Sequence, residues 1–568
     1  MLICGTKWDT RRNMPYGFVY MSPNRGRQWK QVLEERSSEW VTEESCAYGV
    51  HGVAYFVAGA SKVTNAQPHH DLGTTHIYVS HDSGRTWELG VTTGWADWSS
   101  SIVDPTPGPN QNRLYLFFNS LAPFYSSLGE VDAARSETAG AGTRIGLLSY
   151  RDGDSSVSGP YTSKDMAVEG LSDAFPGPAI LLKSGSILTV VSGSRFRQKG
   201  RRETVIESVW TNATRTALER PSKVVSHTED IETVYDVGET KCHQDYLTAG
   251  LAYDRTRNRL YFLYPEQRNT DCQLWLTMSE DEGATWSDPR RVYSPDADAD
   301  RAYTNPAMAV NEGGVLGVMW EERRASGCWM FAASTDAGAT LSRASRLGRC
   351  HMTAPSLGVN SWETFVNRDA RDPANGTTIA IDNALLTVWR NTNAIAVAPI
   401  GSFYPTWIDG YRGNEELRVA EVDVLSAEAM VAAETQGLRA TSDQLAVLYG
   451  GRQSYDLTTR TLTLQVVIRN VGGRLLKGPF KLAVTHFTDT GCARIANANN
   501  GAWFAGAVWD LTETIPSKVL RPGETSSPDT LKFRLESSKK PECRAPGIIG
   551  MTVKIFAAQD ATIEPAGQ

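Results

Sequence analysis

Apolar residues in this chain recur in short runs at strand-like spacing, not at helical spacing. Ile77-Tyr78-Val79, Leu274-Trp275-Leu276, Met330-Phe331-Ala332 and Ile145-Gly146-Leu147-Leu148-Ser149-Tyr150 are examples. Pro178-Ala179-Ile180-Leu181-Leu182 and Ser186-Ile187-Leu188-Thr189-Val190-Val191 are others. Bounded by Gly-containing turns, such runs predict short β-strands, and no long helical period competes with them. Near the end, Thr461-Leu462-Thr463-Leu464-Gln465-Val466-Val467-Ile468-Arg469-Asn470 alternates with period two. Leu531-Lys532-Phe533-Arg534-Leu535 and Ile549-Gly550-Met551-Thr552-Val553-Lys554-Ile555 continue that pattern.

One turn sequence follows several of these strands. Ser80-His81-Asp82-Ser83-Gly84-Arg85-Thr86-Trp87 and Ser279-Glu280-Asp281-Glu282-Gly283-Ala284-Thr285-Trp286 are complete copies. Ser334-Thr335-Asp336-Ala337-Gly338-Ala339-Thr340-Leu341 lacks only the Trp, and Ser22-Pro23-Asn24-Arg25-Gly26-Arg27-Gln28-Trp29 is degraded further. Asp and Ser side chains bond the turn's own N–H groups, Gly supplies a positive φ, and Trp packs beneath the turn. Each copy therefore predicts a strand–turn–strand hairpin.

Recurrence signals a repeat architecture. Arg151-Asp152-Gly153-Asp154 marks a weaker turn, and Phe403-Tyr404-Pro405-Thr406-Trp407-Ile408 with Leu417-Arg418-Val419-Ala420-Glu421-Val422 marks a last unit. Units then recur about every 55–70 residues, as expected for an all-β propeller of four-stranded blades. Seven blades are expected, with six as the alternative, because the fourth unit and 351–400 are poorly marked. Leu2-Ile3-Cys4-Gly5 already reads as strand, so the first blade is expected to lack its innermost strand. Segment 376–400 or 417–424 would supply it; a truncated chain is the alternative. The expected organisation is a propeller over 1–425, a linker or short helix over 426–441, and an immunoglobulin-like β-sandwich over 442–568.

The turn pattern Ser-x-Asp-x-Gly-x-Thr-Trp resembles the Asp-box (BNR repeat) of the sialidase-like β-propeller superfamily. Asn305-Pro306-Ala307-Met308-Ala309-Val310-Asn311 through Glu321-Glu322-Arg323-Arg324 to Ser334, and Tyr404 through Arg412, also look like blades of secreted bacterial members. The resemblance implies that the turns join a blade's third and fourth strands, opposite the active site. A sialidase holds the substrate carboxylate with an Arg triad, attacks with a Tyr activated by a Glu, and uses an Asp as acid/base. A neutral Tyr suits an anomeric carbon that carries a carboxylate. This chain departs from the family pattern: Arg-Ile-Pro is absent, and Thr143-Arg144-Ile145-Gly146 lacks the Pro and comes late.

With no triad assigned by motif, candidates come from the loops and strand starts away from the turns. Tyr303, Tyr246 and Tyr411 are candidate nucleophiles, with Glu322 and Glu266 as partners. Asp71 and Asp245 are acid/base candidates. Arg12, Arg195, Arg301, Arg323, Arg324 and Arg412 crowd this face of an otherwise acidic chain, and guanidinium groups bind carboxylates bidentately. The alternative is that they form surface ion pairs of little worth. Glu43, Glu44 and Asp173 precede inner strands.

Net charge is −7, with 57 basic and 64 acidic residues, which does not suit nucleic-acid binding. No stretch of 18 apolar residues predicts a membrane span, and no signal peptide is recognisable at Met1. The eight cysteines fall as neighbours, Cys4 with Cys46, Cys242 with Cys272, Cys328 with Cys350 and Cys492 with Cys543. Disulfides between them would place the protein outside the cell or in the periplasm; buried thiols are the alternative. No cofactor is expected. Asp296-Ala297-Asp298-Ala299-Asp300 reads as a solvated loop before a metal site.

Three functions follow. The first is an exo-acting glycoside hydrolase of sialidase type on a sialic- or uronic-acid glycan. The second is a polysaccharide lyase using His70 or His243 with a Tyr. The third is a non-catalytic glycan-binding or scaffolding propeller.

Overall fold

The computed structural model describes residues 1–9, 14–24, 26, 28–36, 40–64, 67–119, 145–162, 172–196, 202–219, 223–230, 249–268, 271–292, 302–323, 326–342, 344–352, 394–397, 401–409, 416–425, 427–450, 453–487, 493–535 and 550–558. The chain is all-β, as the alternating runs predict. Among the described residues the helical segments are Ala427–Glu434 and the single turn Thr512–Thr514. The former lies within 426–441, expected as a linker or short helix.

Between residues 2 and 419 the described chain forms seven successive antiparallel meanders. Sheet 1 is Leu2–Asp9, Met14–Met21 and Lys30–Glu35. Sheet 2 is Trp40–Tyr48, Ala54–Thr64, Gln67–Ser80 and Glu88–Gly94. Sheet 3 is Asp97–Val103, Leu114–Asn119, Ile145–Tyr150 and Ser158–Thr162. Sheet 4 is Ser172–Leu181, Ile187–Phe196, Arg202–Trp210 and Lys223–Asp230. Sheet 5 is Gly250–Asp254, Arg259–Arg268, Asp271–Ser279 and Arg290–Arg291. Sheet 6 is Ala302–Val310, Leu316–Arg323, Ser326–Ser334 and Ser345–Met352, and sheet 7 is Ala394–Val397, Phe403–Asp409 and Glu416–Val419.

Packing explains why the middle strands read as unbroken apolar runs. Leu114, Leu116 and Phe118 join Tyr55, Val57, Ile77 and Val79 of sheet 2 in one cluster. The intervening Tyr115 and Phe117 join Leu181, Ile187 and Val191 of sheet 4 in another. Alternate side chains leave opposite faces of a strand, so a sheet covered on both faces needs apolar residues at every position. Leu188, Val190 and Ile206 continue the arrangement against Leu251, Leu260 and Phe262 of sheet 5. Each such side chain contributes about 1.5–3 kcal/mol on burial. The first strand of each sheet also lies beside the first strand of the next.

Sheet 1 has three strands, and its turn copy joins the second and third of them. In sheets 2, 5 and 6 the copy joins the third and fourth, so among the described residues sheet 1 lacks the first strand of the set. Of the two segments expected to supply it, 417–424 does not. Glu416–Val419 pairs with Phe403–Asp409 inside sheet 7. The other, 376–400, lies outside the described residues up to 393, and Ala394–Val397 pairs within sheet 7.

Two compact units divide the chain: Met1–Phe331 with Arg346–Val422, and Ala332–Ser345 with Asp423–Gln568. In the second unit, Leu438–Ala440, Met551–Ala558, Lys481–Phe487 and Val508–Asp510 form one antiparallel sheet. Leu445–Tyr449, Thr461–Asn470, Asp529–Leu535 and Ala493–Ile495 form another, with Ser454–Asp456 beside Thr461–Asn470. Leu482, Val484 and Ile555 of the first share a single apolar cluster with Val466, Ile468, Leu531 and Phe533 of the second.

Disulfides join Cys4 to Cys46 and Cys328 to Cys350, both expected pairs. Cys272 is also disulfide-bonded. Cys242, Cys492 and Cys543 lie outside the described residues.

Candidate functional site

The two ends of the meanders differ chemically. At the turn end, the copies build the same hydrogen-bond set. Gly84 and Gly283 N–H donate to Ser80 and Ser279 Oγ at 2.9 and 2.8 Å. Thr86 and Thr285 N–H donate to Asp82 and Asp281 Oδ1 at 2.9 and 2.8 Å, and their hydroxyls donate to Oδ2. Trp87 and Trp286 Nε1 donate back to the glycine carbonyl. The Trp-less copy keeps the Ser334 and Asp336 bonds, and in the degraded copy Asn24 Oδ1 accepts from Gln28 N–H at 2.9 Å. These bonds hold the Asp82 carboxylate down at about 2. The turns satisfy themselves and leave little for a ligand.

Three of the turns seat on another sheet. Gly84 lies against Leu2 of sheet 1, and Gly283 against Leu188 and Trp210 of sheet 4. Gly26, in sheet 1, lies against Val419 of sheet 7. Sequence reading missed a related turn in sheet 4, where Asn212 Oδ1 accepts from Thr216 N–H at 2.8 Å. Asn in place of Asp, with no Gly after it, hid the likeness.

At the other end, the leading strands of sheets 2, 3, 4 and 6 share an irregularity. Thr42 and Ser45 face Gly59 and Val57, so three steps on the leading strand match two on its neighbour. The same holds for Asp97 and Ser100 against Asn119 and Phe117, and for Ser172 and Phe175 against Ser194 and Ser192. Thr304 and Ala307 against Glu321 and Met319 complete the set. One extra residue per strand is a β-bulge, a device that re-aims side chains and recurs beside active sites. The extra positions carry Glu43-Glu44, Trp98-Ser99, Asp173-Ala174 and Asn305-Pro306.

Glu44 is the most perturbed acid at this end. Cys4 and Thr6 on Leu2–Asp9 face Cys46 and Glu44 on Trp40–Tyr48, so the disulfide and a Thr6-to-Glu44 hydrogen bond stand side by side. Thr6 Oγ1 donates to Glu44 Oε2, while buried Oε1 has no partner among the described residues. Burial pushes the carboxyl up from 4.5 to about 7; the Thr6 hydroxyl and a backbone N–H offset only part of that. A carboxyl at that value carries a proton near neutrality. The sequence marked Glu44 only as preceding a strand; its raised value comes from burial, which depends on segments distant in the chain.

Of the candidate pairs, the structure brings together Tyr303 and Glu322, which are direct partners across Ala302–Val310 and Leu316–Arg323. Directly opposed residues share a face, with Cβ atoms about 4.5–5.5 Å apart. Tyr303 is 1% exposed and its hydroxyl lies out of solvent; Glu322 is half-buried. Beside them, Asn305 takes φ +50° and donates from Nδ2 to the buried Glu321 at 2.9 Å. Glu266 is buried opposite Gln273.

His70 and Asp71 lie on Gln67–Ser80, Arg195 on Ile187–Phe196 and Arg323 on Leu316–Arg323, all toward this end. Only their backbones are described. Arg12, Arg301, Arg324, Arg412, Tyr246, Asp245, His243 and Tyr411 lie outside the described residues, as does Asp296-Ala297-Asp298-Ala299-Asp300. Among the described residues no three His, Cys, Asp or Glu side chains group for a metal ion, and no helix is long and apolar enough to cross a membrane.

No protein-family model matches the chain, and no curated protein matches it. Solved structures show partial likeness. A Hadza microbial sialidase is 10% identical at TM-score 0.38, over 72% of this chain and 74% of that one. A Penicillium chrysogenum alpha-L-arabinanase complexed with arabinobiose is 13% identical at TM-score 0.36, over 68% and 95%. An ulvan lyase of polysaccharide lyase family PL25 is 11% identical at TM-score 0.38, over 74% and 89%. Likeness at these values fixes neither fold nor activity.

Proposed function

We propose that the seven sheets are blades of one closed β-propeller and that the protein is a secreted, exo-acting glycoside hydrolase of sialidase type acting on an acidic glycan. The ring reading rests on the turns. Each described copy of sheets 2 and 5 seats on the sheet before it, and the copy in sheet 1 seats on sheet 7. Sheet 7 therefore stands to sheet 1 as each blade stands to the next. The second unit, two sheets sharing one core, is read as an immunoglobulin-like sandwich. Disulfides support a location outside the cytoplasm.

The observation that carries the chemistry is the opposition of Tyr303 and Glu322 one step before a bulge. In this reading Glu322 takes the phenol proton as Tyr303 oxygen bonds the anomeric carbon. The bond to the leaving oxygen breaks, and an acid supplies that oxygen with a proton; water then cleaves the sugar–tyrosine bond. Glu44, protonated near neutrality, suits the proton donor, with Asp71 and Asp245 as alternatives. Arg195, Arg323 and the other arginines of this end would take the substrate carboxylate.

The test is turnover of sialyl, uronyl and neutral glycans by the purified protein, with Tyr303→Phe and Glu322→Gln alongside. Release of the acidic sugar, falling by a factor of about 100 or more in kcat in each variant, is the expected result. Undiminished release by Tyr303→Phe, or an unsaturated uronate product, overturns the assignment. The buried Tyr303 hydroxyl favours a second reading, glycan binding without turnover; retained binding with no product from any glycan would establish it.

A further inference from the structure

A pocket of about 330 Å³ opens at the turn end of sheets 3, 4 and 5, away from the bulged strand starts. Its walls are Thr106, Leu181, Leu182, Lys183, Gly185, Arg215 and Arg255. They come from the first turns of the three sheets and from the Asn212 turn of sheet 4.

Arg215 anchors it. The residue is 6% exposed. Its Nε donates to Gly185 O at 2.7 Å, and its Nη1 donates to the buried Asp104 carboxylate and reaches Tyr115 hydroxyl. The guanidinium also stands over the Tyr115 ring. Asp104 is in turn fixed by Thr106 N–H and hydroxyl. This clamp leaves Nη2 with no partner among the described residues, on a side chain that lines the pocket. Burying an arginine and holding it by one edge presents the remaining edge in a fixed orientation.

Two more cations stand at the rim. Arg255 donates to Leu181 O at 3.2 Å, and Lys183 follows Leu182 in the same turn. Both are exposed, and neither has a carboxylate partner among the described residues. Tyr253 and Asn258 brace the turn, with Tyr253 hydroxyl accepting from Lys183 N–H at 3.3 Å. One further acid is near: Glu282 Oε1 accepts from Ser184 N–H at 3.0 Å. With Asp104 matched to Arg215, Lys183 and Arg255 outweigh Glu282 by one charge.

We infer that this pocket is a second, non-catalytic binding site for one carboxylate- or sulfate-bearing sugar residue, its oxyanion between Arg215 Nη2, Arg255 and Lys183. The leucine walls, Leu181 and Leu182, offer an apolar surface to the sugar ring, the usual companion of a few oriented polar groups. The site does not depend on the hydrolase reading, because it lies at the opposite end of the sheets.

The test uses the whole chain with sodium glucuronate, glucose 6-sulfate and glucose as probes, titrated by saturation-transfer NMR. Lys183→Gln, Arg255→Gln and their double variant remove exposed charges. Saturable binding of either acidic sugar, weakened at least tenfold by the double variant, is the expected outcome. The arm that binds tells carboxylate from sulfate. Equal binding of glucose, binding insensitive to the double variant, or no binding of either acidic sugar overturns the inference. Turnover measured on the same variants separates this result from the fate of the hydrolase reading.

Discussion

Glu44→Gln tests the buried carboxyl at the bulged end directly. A carboxyl that titrates at 4.5 when unfolded and at about 7 when folded binds its proton more tightly in the native state. Below pH 4 both states are protonated, and the residue costs nothing. As pH rises from 4.5 to 7 the unfolded state ionises first, so it binds fewer protons than the native state and native stability falls. Above pH 7 both are ionised and the penalty is complete, about 3 kcal/mol. Gln keeps a carbonyl oxygen for the Thr6 hydroxyl but cannot ionise. Its amide group, in the place of the unpartnered Oε1, adds a pH-independent cost of about 1–3 kcal/mol. The informative quantity is therefore the variant-minus-native stability at pH 8 less the same difference at pH 4. It should be about +3 kcal/mol in favour of the variant, read from urea midpoints of the transition reported by the first unit. A difference independent of pH would refute the argument, because it would mean that Glu44 ionises as freely in the native protein as in water.

Two local predictions concern the turns. Ser279→Ala removes the buried oxygen that accepts Gly283 N–H, leaving that donor unsatisfied, and should cost about 1–3 kcal/mol in denaturant unfolding; Thr285→Ser, which keeps its hydroxyl on Asp281, should cost far less. Gly84→Ala places a Cβ on a residue at φ +85° and 2.5 Å from Leu2 Cδ2. It should cost about 1–2 kcal/mol from the backbone alone, and an unchanged melting temperature would contradict the left-handed turn.

The sequence was most legible where structure is local. The bonds among Ser, Asp, Thr and Gly that define the turn close within eight residues, so the pattern could be read without neighbours. The run Ile145–Tyr150 was readable as strand for a related reason: both of its faces are covered, Leu148 and Tyr150 in one cluster and Ile145 and Leu147 in the other. The helix over Ala427–Glu434 followed from local propensity. Less legible was anything set by register. The bulges arise from how two strands align, and nothing in Thr42-Glu43-Glu44-Ser45 alone announces an extra residue. The opposition of Tyr303 and Glu322 depends on the Asn311–Val315 turn that returns the chain, and both residues were named before their pairing was known. Of the two segments expected to supply sheet 1's first strand, 376–400 and 417–424, the second pairs within sheet 7, where Glu416–Val419 lies against Phe403–Asp409.

These differences account for the division of labour along the sheets. At one end, Ser, Asp and Thr side chains close each turn on itself, and the glycines press against the sheet before. Those groups are occupied, which explains how Asp82 can be held near 2 while only half-buried and still have no chemistry to perform. At the other end each described bulge breaks the ladder by one residue and frees a position that the strand pairing would have fixed. Polar residues tolerated there include Glu44 and Asn305, which reach Thr6 in one case and Glu321 in the other. Burial raises the Glu44 carboxyl to about 7, with Thr6 and a backbone N–H offsetting only part of it, whereas the donors of the turn hold Asp82 low. A carboxyl thus serves as structure at one end and as a candidate for proton transfer at the other, and the balance of desolvation against donors decides which.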